Sequence, residues 1–331
     1  MKINLLLFLW KMYWKQQQNF LNFFQDEFWV TRTWKFLDKI DKVVPWKEIS
    51  KRIENRREIW KGWVWRPRLE TIKMVKILFL QWLYQLSDPE AEDQIKDRNS
   101  FQVFLWVKSV RDIPDETSIC RFRKELNEES WQESIFTMTQ NILAEMWFNM
   151  KKWYMQDWTI IEAPKGKKNK NWENTRDKEA SFTKKNGRSY HWYKWHIETS
   201  EKWWFIMNTT YTTAKVHDSQ AIDALMTWNE WWEAYWDSAY WSKDRNSFLK
   251  SNKIEPQFNE KWYRNNPLTP YQKEQNRIKS TIRAKVEHPF ATIKARYWNY
   301  KVRYRWITKN AMHWFLTCAI YNFELLARKY T

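Results

Sequence analysis

Glycine is almost missing from this chain. Among 331 residues there are 3 Gly, where average usage of about 7% would give roughly 23. There are 28 Trp instead, and many stand where a turn residue belongs: Trp65 before Arg-Pro, Trp192 and Trp195 between His191 and His196, Trp236 before Asp237. A bulky aromatic suits a position with φ > 0 or a close backbone approach poorly, and Gly is its usual occupant. We therefore expect that UGA, read here as Trp, encodes Gly in the source organism. The first candidates are Trp65, Trp106, Trp158, Trp192, Trp195, Trp236, Trp298 and Trp306, whereas Trp46, in a helical context, fits a true Trp. A genuinely Trp-rich protein is the alternative, and it leaves the missing Gly unexplained.

Other absences narrow the function. Cys120 and Cys318 are the only cysteines and lie far apart, which excludes a disulfide framework and a cysteine metal site and fits reduced cytosolic thiols. No run of 18 apolar residues occurs, so no membrane-spanning helix is expected. Met1–Trp10 is followed by Gln16, Gln17 and Gln18 and by no small-residue cleavage site, so no signal peptide is expected either. Acids are scarce beside bases: 39 against 57, a formal charge of +18. That excess calls for a polyanionic partner, nucleic acid or an anionic membrane surface. No basic amphipathic helix with a Trp/Leu face stands apart from the core pattern, which weighs against the membrane.

What is present reads first as helices and then as a mixed layer. Residues 1–60 form a basic helical segment broken at Pro45, with Ile49, Ile53 and Ile59 continuing beyond it. Residues 61–150 form a helical, DNA-binding domain: Ile72, Val75, Leu78, Phe79, Leu83 and Leu86 recur at helical spacing, Pro89 starts a short helix, and Pro114–Thr117 signals the start of another lined by Arg121, Arg123 and Lys124. A helical scaffold with a solvated basic face is the competing description. Residues 151–331 form an α/β catalytic domain. Strands are expected at Tyr154–Glu162, Tyr190–Ile197, Phe205–Thr213 and Ala234–Asp237, with helices at Ser219–Met226 and Lys309–Tyr330. Asp244–Lys273 reads mostly as loop. The basic loop Pro164–Arg188, with nine Lys or Arg against three acids, either tracks a DNA backbone or is simply solvated.

Three acids stand out. Asp157 falls inside a strand, where Asp is depleted and costly. Asp237 ends a strand, where open α/β sheets place their sites. Glu287 lies in a helix whose apolar stripe is Ile278, Ile282, Val286, Phe290, Ile293 and Tyr297. From Arg277 to Lys309 ten Lys or Arg accompany that one acid. Arg283, Glu287 and Lys294, spaced by four and seven, should share a second face of the helix. Pro289 should force a kink or restart two residues past Glu287. A solvated basic helix with an incidental ion pair would show the same local pattern. Three carboxylates converging on one sheet edge would instead suit a pair of Mg²⁺ ions and in-line displacement at phosphorus.

The segments Asp157–Ala163, His191–His196, Tyr235–Tyr240 and Arg283–Lys294 together resemble bacterial insertion-sequence transposases of the DDE class, closest to the insertion-sequence-5 type. The match covers about residues 20–331. Asp157 and Asp237 take the places of the first and second acids, and Arg283, Glu287 and Lys294 match the pattern Arg, three residues, Glu, six residues, Lys. Ser280 departs from it, standing where the family has Tyr. The family has Gly at Trp158, Trp192, Trp195, Trp236 and Trp306.

The resemblance implies a ribonuclease-H-like core and two Mg²⁺ ions, with Mn²⁺ as a substitute, held by Asp157, Asp237 and Glu287. It implies phosphate contacts from Arg283, Lys294 and His288, with Arg121 and Arg123 on the DNA from the helical domain. The expected partners are the double-stranded DNA of the terminal inverted repeats and the target, bound by a homodimer in the bacterial cytoplasm, at the nucleoid. The His191–His196 segment is expected to be a structural strand rather than a second metal site. A decayed copy that only binds DNA is the alternative to an active enzyme.

Overall fold

The computed structural model describes residues 31–57, 69–128, 131–145, 153–164, 166–168, 170, 175–185, 187–200, 204–217, 220–221, 225, 232–236, 241–263, 266–297, 301–302 and 304–330. The expected helix at Ser219–Met226 is described only at Gln220, Ala221 and Leu225, all helical. The turn at Trp65–Pro67 lies outside the described residues. The chain divides into two compact units, one running up to Lys124 and taking in the residues from Leu326 onward, the other Glu125–Leu325.

The first unit is helical. Helix α1 (Arg32–Val43) opens with the Thr31 hydroxyl accepting from the Trp34 N–H and stops before Pro45; α2 (Trp46–Arg57) follows. Helix α3 (Thr71–Tyr84) is apolar nearly all round and is buried along its length, as a central helix must be. Ser87 and Glu90 form a reciprocal capping box for α4 (Asp88–Asp97), with Pro89 in its first turn, where the missing N–H has no bond to lose. Helix α5 (Asn99–Leu105) ends at Trp106 in the left-handed conformation, φ 54°. Helix α6 (Glu116–Glu128) begins where Asp115 accepts from the Ser118 N–H. The core encloses one cation. Lys76 is fully buried, 2.5 Å from the Asp41 carboxylate, and donates to the Phe104 carbonyl at 2.9 Å. Trp46 packs edge-on against Phe79 and Phe104 there, as a true core Trp would.

The second unit is a six-stranded mixed sheet flanked by helices, a ribonuclease-H-like α/β arrangement. Its strands are β1 (Trp153–Glu162), β2 (Ser181–Lys185), β3 (Arg188–Ser200), β4 (Ile206–Thr213), β5 (Trp232–Trp236) and β6 (Ile254–Phe258). The order is β2-β3-β1-β5-β6, with β4 also paired to β3. The β1–β3, β2–β3 and β3–β4 pairs are antiparallel, while β1–β5 and β5–β6 are parallel. Helix α7 (Trp131–Glu145) precedes the sheet and α8 (Lys243–Ser251) precedes β6. They are followed by α9 (Pro270–Arg283), α10 (Glu287–Arg296) and α11 (Ile307–Tyr330). Helix α11 is tied to β4 by Asn322, whose side chain accepts from the Ile206 N–H at 2.9 Å and donates to its carbonyl at 2.8 Å.

Two elements correct the expectation of a loop at 244–273. Helix α8 buries only Leu249, so its sequence carries almost no apolar period. Strand β6 contains Pro256, which normally argues against a strand. β6 ends the sheet order, and an edge strand tolerates Pro. The basic loop likewise gives up Ser181–Lys185 to β2. Five described residues other than Gly have positive φ: Gln85, Trp106, Trp204, Lys253 and Trp306.

Candidate active site

Alternation along β1 sorts its side chains onto two faces. Asp157 and Thr159 share one face with Met155 and Ile161, and their cross-strand partners are Ile197 and Trp195. Trp314 of α11 stacks on Trp195, with ring centroids 3.9 Å apart. Gln156 and Trp158 face the other way. There Trp158 packs against Trp236, Leu249, Ile254 and Phe258, and Gln156 is buried with Glu198. Gln156 donates to Glu198 at 3.4 Å and accepts from the Trp236 indole N–H at 2.7 Å. Burial pushes the Glu198 carboxyl up to about 8, so it is neutral over most of the working range. Asp157 itself is half-buried and accepts from the Trp158 N–H at 2.8 Å. The β1–β3 pair therefore carries the buried Glu198 carboxyl on one face and the half-buried Asp157 carboxyl on the other.

The expected single helix over 278–297 is two helices. Between α9 and α10 lies a 3₁₀ turn, Ala284–Val286. Pro289 has no N–H for the Lys285 carbonyl, which accepts from the Glu287 N–H instead. The restart thus falls at Glu287, not two residues after it, and Pro289 sits harmlessly in the first turn of α10. The apolar stripe divides at the same place. Val286, Phe290, Ile293 and Tyr297 are buried, whereas no residue of α9 is, and Ile278 is exposed.

A 3₁₀ residue turns about 120° against about 100° in an α-helix, so three of them rotate Glu287 by roughly 60° relative to Arg283. Arg283 therefore leaves the face that spacing alone gave it. Glu287 and Lys294, both within α10, remain on one face. Glu287 is exposed at the first position of α10, where the helix dipole favours a carboxylate.

Lys294 joins helix to sheet: its ammonium donates to the Thr159 hydroxyl. Thr159 stands two residues from Asp157 on the same face, and the 3₁₀ turn also contacts β1. His288 is exposed and stacks on Trp204, centroids 4.4 Å apart. Thr159 was not legible as a site residue, because Thr is ordinary in a strand and its partner lies 135 residues away.

The remaining expected residues are placed as follows. Asp237 lies outside the described residues, one position past the end of β5. In the helical unit Arg121 is exposed on α6, but Arg123 is engaged internally. Its guanidinium grips Asp88 with two hydrogen bonds, of 2.6 and 2.5 Å. His191 and His196 lie five apart in β3, hence on opposite faces, and cannot share a metal. His191 meets the Ala180 carbonyl at 3.0 Å and His196 the Thr212 hydroxyl at 2.9 Å, with burial pulling His196 down to about 3. The segment is a structural strand. Among the described residues no three metal-ligating side chains converge.

Residues 26–125 match the family model described as "Transposase domain (DUF772)", and residues 155–323, just over half of the chain, match the "Transposase DDE domain". The chain belongs to the DDE transposases. No solved structure matches it. As a DDE transposase it is an enzyme that cuts and joins DNA, and its family works with divalent metal ions. The donor types suit such an ion: Asp157 and Glu287 offer hard carboxylate oxygens at half-buried and exposed positions, where water and phosphate oxygens would have room to complete a coordination shell. No described helix is long and apolar enough to cross a membrane.

Proposed function

We propose that this transposase acts on the terminal inverted repeats of an insertion sequence of the insertion-sequence-5 type. Water attacks the phosphodiester at the element end, which leaves a 3′-OH on the element and a 5′-phosphate on the flank. The freed 3′-OH then attacks a target phosphodiester and displaces a target 3′-OH. The observation that carries this is the bond from Lys294 to Thr159. It ties α10, the helix that begins with Glu287, to the strand face that bears Asp157.

Asp157, Asp237 and Glu287 would hold two Mg²⁺ ions, which when bound activate the attacking oxygen and stabilise the leaving one. Asp237 is one peptide bond from Trp236, whose neighbour Tyr235 pairs with Met155, two residues before Asp157. Lys294 binds the phosphate beside the cut. Arg283 and His288 contact phosphates further along, and Arg121 of α6 contacts the repeat from the helical unit. We assign DNA binding to residues 61–150 and catalysis to 151–331, with a homodimer bridging two element ends at the bacterial nucleoid.

The test is cleavage of a duplex carrying the element end, with Mg²⁺ or Mn²⁺. Asp157→Asn, Asp237→Asn and Glu287→Gln should each reduce cleavage to background while DNA binding is kept. Cleavage that survives in one of them removes that residue from the site. Binding without cleavage in the unaltered chain would mark a copy that only occupies its repeats.

A further inference from the structure

Glu324 is the single acid of α11, and it lies where an acid is least welcome. Between Met312 and Phe323 every residue but Phe315 is buried, and Glu324 itself is 3% exposed. A carboxylate is almost never buried to that degree unless it is paired. Oε1 accepts from the Arg296 guanidinium and Oε2 from the Tyr297 hydroxyl. These are the last residue of α10 and its C-terminal cap. Burial and the nearby Glu324 charge hold the Tyr297 phenol well above its usual range, so it stays a donor. Two residues before Glu324 is Asn322, which ties α11 to β4. The sheet thus reaches the C-terminal end of α10 through α11.

Helix α10 needs such a hold. Helix α9, which leads towards it, buries nothing, and within α10 itself Pro289, Phe290 and Ile293 are the buried residues. Apolar burial is non-directional, so it fixes the depth of a helix better than its rotation. Directional bonds fix rotation, among them Lys294 to Thr159 of β1 and Arg296 to Glu324 of α11. Positions two apart stand about 200° round an α-helix. The two bonds therefore leave α10 on nearly opposite sides and resist its turning either way. A turn of about 10° carries a side-chain tip, about 5–6 Å from the axis, through roughly 1 Å. A misplacement of that size can cost about 100-fold in rate.

We propose that Glu324 is a positioning residue for the cleavage reaction: it holds α10 in the rotation that brings Glu287 and Lys294 to β1. The proposal rests on the assignment of Glu287 to the active site made above. Glu324 is too deeply buried to touch DNA, so its influence passes through α10.

The full chain, bound to an element-end duplex, is titrated with Mn²⁺ and followed by electron paramagnetic resonance, with the duplex alone as the blank. Cleavage, DNA affinity and melting are measured alongside. Glu324→Gln should raise the Mn²⁺ concentration at half-occupancy at least threefold and slow cleavage at least tenfold, with DNA affinity unchanged. Tyr297→Phe, which removes one hydroxyl from a packed ring, should do the same in a chain that still melts cooperatively, and it gives the same reading should Glu324→Gln not fold. In a Glu287→Gln background, Glu324→Gln should have no further effect on Mn²⁺, because the ligand it positions is gone. Slower cleavage with unaltered Mn²⁺ occupancy in both variants overturns the proposal, as does a loss of Mn²⁺ affinity that adds in full to that of Glu287→Gln. Unaltered Mn²⁺ occupancy and cleavage in Glu287→Gln itself would instead sink the active-site assignment, and leave Glu324 no ligand to position.

Discussion

Lys76 lies wholly inside the helical unit with its ammonium 2.5 Å from the Asp41 carboxylate, whereas Lys294 stands half-buried over the sheet with its ammonium on the Thr159 hydroxyl. Around Lys76 the core is closed by Trp46 and Phe104. Two carboxylates with access to water share the elements that Lys294 joins, Asp157 two residues from Thr159 on β1 and Glu287 seven residues before Lys294 on α10. The difference separates two uses of a cation. A pair removed from water is held to its partner and serves the architecture, since losing either member strands a buried charge. A cation that is only half-buried, with a neutral hydroxyl among its partners, stays in contact with water instead. Arg123 on Asp88 belongs with the first kind and Arg121 with the second.

The contrast can be broken at several points. Asp41→Ala should destabilise the helical unit by about 3–5 kcal/mol, because Lys76 is left buried and unpaired. The double variant Asp41→Ala/Lys76→Met should recover most of that in denaturant melts. A cost below about 1 kcal/mol for Asp41→Ala would show that the pair is not sequestered. Thr159→Val keeps the shape of the strand but removes the hydroxyl. A hydrogen bond to a charged group is worth about 1.5–3 kcal/mol, so cleavage should slow about 10- to 100-fold with melting and DNA affinity nearly unchanged. Thr159→Ser should retain the rate, and equal rates for all three would detach Lys294 from its support.

The gentlest probe is Glu198. Burial raises its carboxyl in the folded state from 4.5 to about 8, so between those values the folded chain holds a proton that the unfolded chain has released. Stability from this group is full below about 4.5 and is lost as the pH climbs through about 8. Glu198→Gln should remove up to about 1.4 kcal/mol per pH unit of that decline. An unaltered slope would mean that Glu198 is ionised in the fold.

Several elements were legible before the structure because their chemistry is local. Alternation gave β1 with Asp157 inside it, Pro45 marked the α1–α2 break, and Pro89 marked the start of α4. Helix α8 and β6 were not legible, the one too polar and the other interrupted by Pro256. The turn at Ala284–Val286 was also hidden, because its cause lies three residues beyond it, in Pro289. Spacing counted along one ideal helix therefore put Arg283 with Glu287 and Lys294. Thr159 needed a partner from another element before it meant anything.

Pro256 has one more consequence. The outermost strand of the sheet presents a residue that has no N–H to offer a newcomer, in a five-residue strand too short to template much else. Many copies of a strongly basic protein gathered along one polyanion are brought close enough to join edge to edge. At its β6 margin the sheet that carries Asp157 thus gives a second chain a short strand with one donor missing, a poor template for lengthening.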